Sequence, residues 1–148
     1  MDPPMPHPFP HRYTCELEVR DDASSTLKAG PRPPLLGGNP PEFDGSDTWW
    51  SPEHLLLSSL QICFRGTWNA LTARPGIKAS KFATRAEAVL EKGPAGITFT
   101  SITLTAFVTV PAAHVDAARD LLAKAKKFCI ISNQLKTEPT LVAEVSAG

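Results

Sequence analysis

Between residues 11 and 20, Tyr13, Cys15, Leu17 and Val19 alternate with polar neighbours, the period of two that marks a strand with one buried face. "STLKA" (25–29) predicts a second short strand, and the Pro- and Gly-rich stretch 30–50 predicts a long irregular loop. Trp49 and Trp50 at its end favour a core or an interface. At residue 51 the period changes. Ser51 suits an N-cap, Pro52 the first helical position and Glu53 the positive end of the helix dipole. Leu57, Leu60, Phe64, Trp68 and Leu71 then form one helical stripe that runs to about Arg74, where Pro75-Gly76 stops it. The apolar surface is wide enough to predict a central, mostly buried helix.

The period of two returns in "KFATRAEAVLEK" (81–92) and in the β-branched run "ITFTSITLTAFVTV" (97–110), joined by the turn residues "GPAG". The apolar phase slips between Phe99 and Ile102, which predicts a bulge. After Pro111 a second helix runs to about Lys127, and Val115, Ala118, Leu122, Ala125 and Cys129 continue its apolar face. "CIISNQL" predicts a short helical turn or loop, and "TLVAEVSA" (140–147) a closing strand. The order ββ–α–ββ–α–β predicts an α+β domain over residues 11–148 whose sheet packs on the first helix.

Composition narrows the function. The chain has 148 residues, 42% of them hydrophobic, which is enough for one domain with a real core. Its 15 basic and 15 acidic residues cancel, so net charge gives no case for nucleic acid or an anionic membrane. No apolar run reaches the ~18 residues of a membrane span, and the N-terminus lacks an apolar signal core, so a cytoplasmic location is expected. Ten of the 15 prolines precede residue 42, and residues 1–10 are expected to form an extended or disordered arm. Three cysteines, Cys15, Cys63 and Cys129, do not make a secreted disulfide framework. Cys15 is expected to be structural and buried, as free cysteines commonly are. His7, His11, His54 and His114 have no ligand spacing with the cysteines, and no phosphate-cradling glycine loop is present.

"SPEHLLLSSLQICF" (51–64) together with "AKAKKFCIISNQLK" (123–136) resembles the OsmC/Ohr family of osmotically inducible and organic-hydroperoxide-resistance proteins. Members open a central helix on an Asn-Pro-Glu-like motif, carry a cysteine ten residues after the Glu, and place a second cysteine at the end of the next long helix. Here Glu53 and Cys63 have that spacing, and Cys129 follows 66 residues later, with Ile130 where the family usually has Pro. The resemblance covers residues 11–147. It implies an intertwined homodimer of antiparallel sheets wrapped around central helices. It also implies thiol-dependent reduction of organic hydroperoxides with no metal or organic cofactor. In that chemistry Cys63 attacks the peroxide, Cys129 resolves the sulfenic acid, and a dithiol restores both. Glu53 and an arginine would organise the site across the dimer. In the segment "EFDG" (42–45) Glu42 stands where OsmC-type members have the arginine, and Arg32, or else Arg20, is the nearest upstream substitute.

The residues also constrain this picture directly. Ten residues of helix separate Glu53 from Cys63 by roughly 15 Å. The helix dipole does not reach that far, so Cys63 needs a nearby cation or hydrogen-bond donor to become the nucleophilic thiolate. Glu53 can serve only the Cys63 of a second chain. Two other readings are open at this point. One is a non-catalytic protein of the same fold that binds a small apolar ligand in the dimer cleft. The other is an interaction protein that uses the Pro-rich arm.

Overall fold

The computed structural model describes residues 7–148, so most of the expected arm lies outside the described residues. Two compact units, up to His54 and Leu55–Gly148, divide the chain within its long helix. The first unit is a three-stranded antiparallel meander of β1 (Glu16–Val19), β2 (Ser25–Lys28) and β3 (Leu35–Gly37). The turn before β2 is closed by the Asp22 carboxylate, which accepts hydrogen bonds from the Ser24 amide and hydroxyl.

Here the structure departs from the sequence pattern in three places. Only four residues of the predicted first strand pair, and every residue from His7 to Asp22 is exposed, Leu17 and Val19 at 62% and 71%. Cys15 lies outside β1 and is exposed, contrary to expectation, because neither face of this strand is covered. The predicted irregular loop contains β3 and a 3-10 turn, Pro41–Phe43. It is ordered by backbone pairing: the Trp50 amide donates to Leu36 (3.0 Å) and the Gly38 amide to Trp50 (3.1 Å). Trp49 is half-buried with its indole against Gly38, where a Cβ would come within 2.5 Å of the ring, so glycine is required. Trp50 stays 47% exposed.

Helix α1 (Pro52–Ala73) starts and stops as its sequence dictates. The Ser51 hydroxyl accepts from the His54 amide at 3.1 Å and also bonds His54 Nδ1 at 2.6 Å, a side-chain cap on the free amides of the first turn. Its buried stripe is Leu60, Phe64, Trp68 and Thr72, flanked by half-buried Leu57, Cys63 and Leu71. The remaining face is open, with Ile62 74% exposed, so the helix is less enclosed than its composition predicts.

The second unit is built on the hairpin of β4 (Lys81–Gly93) and β5 (Gly96–Val110). A two-residue connection, Pro94-Ala95, turns the chain, and Gly96 takes a φ of +113° that other residues avoid. The register shifts at Val89/Leu90, whose partners are Ser101 and Phe99, so Thr100 is the extra residue of the expected bulge. β5 buries Ile102, Leu104, Ala106, Val108 and Val110 in strict alternation. A 3-10 turn, Ala112–His114, leads into α2 (Val115–Phe128), which carries the chain back along the sheet. Its return makes β6 (Thr140–Ala147) parallel to β5, so this sheet is mixed within the expected α+β class. Arg119 on α2 donates to the Ala143 and Val145 carbonyls at 3.2 and 3.4 Å, covering part of the free edge of β6.

One core joins the elements of the second unit. Ala118, Leu122, Ala125 and Cys129 of the second helical face are 0% exposed, and they share a hydrophobic cluster with Leu104 and with Leu60, Phe64 and Trp68 of α1. The Phe82 ring of β4 lies 6.2 Å from Phe64 and 5.6 Å from Trp68, and Arg65 covers it at 4.5 Å. The Thr84 hydroxyl donates to Gln61 Oε1 at 2.8 Å, fixing the rotation of α1 against the strand. Because Ser51 is buried and its cap bond is made, Ser51→Ala should lower stability by about 1 kcal/mol. Urea unfolding checks this, and a midpoint unchanged within error contradicts the capping role.

Candidate functional site

The core brings two of the four sequence-predicted site residues together. Cys63 is half-buried on α1, one turn past Leu60 and beside Phe64. Cys129 follows the last residue of α2 and is sealed in the core at 0% exposure. Their thiols are neighbours close enough to influence one another's ionisation, and both cysteines are free. The two helical faces that carry them were both legible as apolar stripes. Their meeting is a consequence of both stripes packing into one cluster.

Chain geometry past α2 shapes the environment of Cys129. Its own amide donates to Lys126 and its carbonyl accepts from the Asn133 amide at 3.1 Å, so the chain turns tightly into the 3-10 segment Ser132–Gln134. The first amides of such a turn have no partner within it. Those of Ser132 and Ile131 lie near enough to the Cys129 sulfur to favour its thiolate. Sequence reasoning missed these donors, since a backbone amide has no side-chain signature. Burial nonetheless dominates and pushes the Cys129 thiol up to about 11, with the neighbouring Cys63 raising it further and the amides opposing. Cys129 is therefore a thiol at neutral pH, and the more accessible Cys63 is the sulfur a ligand meets first.

Glu53 and Arg32 belong to the first unit, the two cysteines to the second. Glu53 sits in the first turn of α1, two and a half to three turns from Cys63 on the same helix. Its Oε2 is buried and has no hydrogen-bond partner among the described residues. Arg32 lies in the turn after β2, exposed, donating to the Ala29 carbonyl at 3.2 Å. Glu42 is exposed in the 3-10 turn. Among the described residues no three of His, Cys, Asp and Glu gather as a metal site would need, and no helix is long and apolar enough to cross a membrane.

Above its ordinary value of 9.0 the unfolded Cys129 thiol loses its proton while the folded one keeps it until about 11. The stabilisation is thus complete below about pH 9 and lost as pH rises to about 11. Urea titrations of the reduced protein should show that loss, and Cys129→Ala should flatten it. An unchanged slope in Cys129→Ala would contradict the burial argument.

Comparison with known proteins identifies the family. Residues 45–144 match the family described as OsmC-like protein. The peroxiredoxin OsmC of Escherichia coli is 31% identical over 91 residues, which span 62% of this chain and 64% of that protein. The match thus falls just short of two thirds of the curated relative. Among solved structures, an OsmC-like protein of unknown function from Vibrio cholerae superposes with a TM-score of 0.78 at 15% identity, over 90% of this chain and 99% of the other. An OsmC-like protein from Mycoplasma pneumoniae gives 0.76 at 17%, over 94% and 99%. An organic hydroperoxide resistance protein from Elizabethkingia anophelis gives 0.71 at 20%, over 95% and 100%. At those identities the structural likeness is one of fold, and the family match covers both Cys63 and Cys129: the chain belongs to the OsmC-like family.

Proposed function

We propose that the chain is a thiol peroxidase that reduces organic hydroperoxides through Cys63 and Cys129. The observation that carries this reading is the contact between an accessible thiol and a sealed one. The Cys63 thiolate attacks the distal peroxide oxygen, the O–O bond breaks and the alkoxide leaves as alcohol after gaining a proton. The resulting sulfenic acid condenses with the Cys129 thiol, forming the disulfide and releasing water. A dithiol then returns two electrons, and no metal or organic cofactor takes part. Apolar side chains around the pair, Leu60 and Phe64 among them, favour an organic substrate over hydrogen peroxide. The similarity to a protein named peroxiredoxin supports the same reaction class. A reducing, cytoplasmic setting suits a chain whose three cysteines are free. The contact between the thiols favours this reading over a binding protein, in which nothing requires the sulfurs to meet.

The site is completed by a second copy of the chain. Glu53 cannot reach Cys63 along its own helix, yet its buried Oε2 lacks a partner. Exposed Leu17, Val19 and Ile62 supply apolar surface for a homodimer to cover. Arg32 is the cation in this proposal. Among the described residues its guanidinium is held by one carbonyl alone, an exposed contact that costs little to exchange for a thiolate.

Turnover of cumene hydroperoxide with dithiothreitol tests the roles. Cys63→Ser should fall to background, Cys129→Ser should consume about one equivalent and stop, and Cys15→Ser should match wild type. Arg32→Ala should lower kcat/KM roughly tenfold, the equivalent of about 1.4 kcal/mol. Retained turnover in Cys63→Ser would overturn the mechanism. Sharing of the site is tested by complementation. Cys63→Ser and Glu53→Gln, mixed and re-associated, should recover about a quarter of wild-type activity, because each mixed dimer holds one intact site. Activity no greater than the average of the separate variants would place Glu53 outside the site.

A further inference from the structure

The chain's neutral total hides a segregation of charge. Leu55–Gly148, the unit with both redox cysteines, holds 11 Lys and Arg against 6 Asp and Glu. The preceding residues hold 4 against 9. Part of the surplus is focused where α2 ends. Lys124, Lys127 and Phe128 have the i, i+3, i+4 spacing of one helix face, and all three are exposed. Phe128 and Ile130, the chain neighbours of buried Cys129, are 56% and 69% exposed. Lys127 Nζ lies 5.7 Å from the Phe128 ring centre. Lys126 is engaged otherwise, in a 2.6 Å ion pair with Glu138. The nearest acid on the exposed face is Asp120, a turn before Lys124, and the last two turns of α2 contain no acid. Lysines at a helix C-terminus also complement its dipole, which explains their sign. The dipole does not explain two large apolar side chains left in water on either side of a redox cysteine.

We propose that this basic and apolar rim, Lys124, Lys127, Phe128 and Ile130, is the docking surface for an anionic dithiol reductant. The proposal rests on the redox role of Cys63 and Cys129, and it assigns the rim to one half of the cycle. The hydroperoxide is neutral, whereas the species that attacks a disulfide is a thiolate anion. Positive charge raises the local concentration of the second and not of the first. Because Cys129 is enclosed, the attack falls on Cys63. The reductant thiolate bonds to the Cys63 sulfur, the Cys63–Cys129 bond breaks, and Cys129 leaves as a thiolate and takes up a proton. The reductant's second thiolate then displaces Cys63 and closes the reductant's own disulfide, so two electrons pass from dithiol to protein.

The half-reactions can be timed separately. Protein oxidised with one equivalent of cumene hydroperoxide is freed of excess peroxide and mixed with dihydrolipoate, a carboxylate whose 1,3-dithiol closes a five-membered disulfide ring, or with uncharged dithiothreitol. Thiol recovery is followed over time. Lys124→Gln combined with Lys127→Gln should slow reduction by dihydrolipoate on the order of fivefold at low ionic strength. It should slow reduction by dithiothreitol much less and leave peroxide oxidation at the wild-type rate. Raising the salt should bring wild type down to the variant. An unchanged ratio of the two reductants' rates would overturn the proposal, as would an equal slowing of oxidation and reduction. If hydroperoxide forms no Cys63–Cys129 disulfide at all, the redox reading itself fails, and the proposal with it.

Discussion

The contact between the Cys63 and Cys129 thiols depends on how tightly α2 is drawn onto the sheet. Ala118 and Ala125 are small enough to bring the helix close, Leu122 fills the space between them, and the same stripe delivers Cys129 into the core one step after the helix ends. From the other side Leu60, Phe64 and Trp68 fix α1 in the same cluster, with Phe82 wedged against two of the three rings or chains. Neither cysteine is positioned by a dedicated device. Each rides on an apolar helical face packed into the core cluster, and the proposed chemistry follows from where those two faces intersect.

That intersection also divides labour between two chemically identical side chains. Complete burial holds a proton on Cys129, with only the Ile131 and Ser132 amides working the other way. In the proposed cycle those amides matter more after oxidation, when the Cys129 sulfur must leave a disulfide with negative charge. Partial exposure leaves Cys63 the more accessible of the two sulfurs. In this proposal the asymmetry of burial, rather than any difference in residue type, decides which cysteine attacks and which resolves.

Much of this was legible in the sequence because it follows from period and punctuation. The Ser51–Pro52 start and Pro75-Gly76 stop bounded α1, the slip after Phe99 announced the bulge at Thr100, and the closing strand fell on residues 140–147. The first unit was less legible. Its strands are three or four residues long, too short for alternation to count, and the pairing of Leu36 and Gly38 with Trp50 is made by backbone atoms that any sequence supplies. Cys15 shows the same limit, since alternation predicts a buried face only when something covers the strand. The site was half legible: spacing singled out both cysteines, while the amides at Cys129 and the unpartnered Glu53 oxygen are visible only in three dimensions.

Oxidation of the native protein by one equivalent of organic hydroperoxide, followed by peptide mapping without reduction, tests the central claim most directly. The account predicts that two thiols per chain disappear together and that the only new cross-link joins the peptides of Cys63 and Cys129 within one chain. A stable sulfinic acid on Cys63 with Cys129 still reduced would contradict it, because two thiols in contact should close a disulfide before a second oxidation occurs.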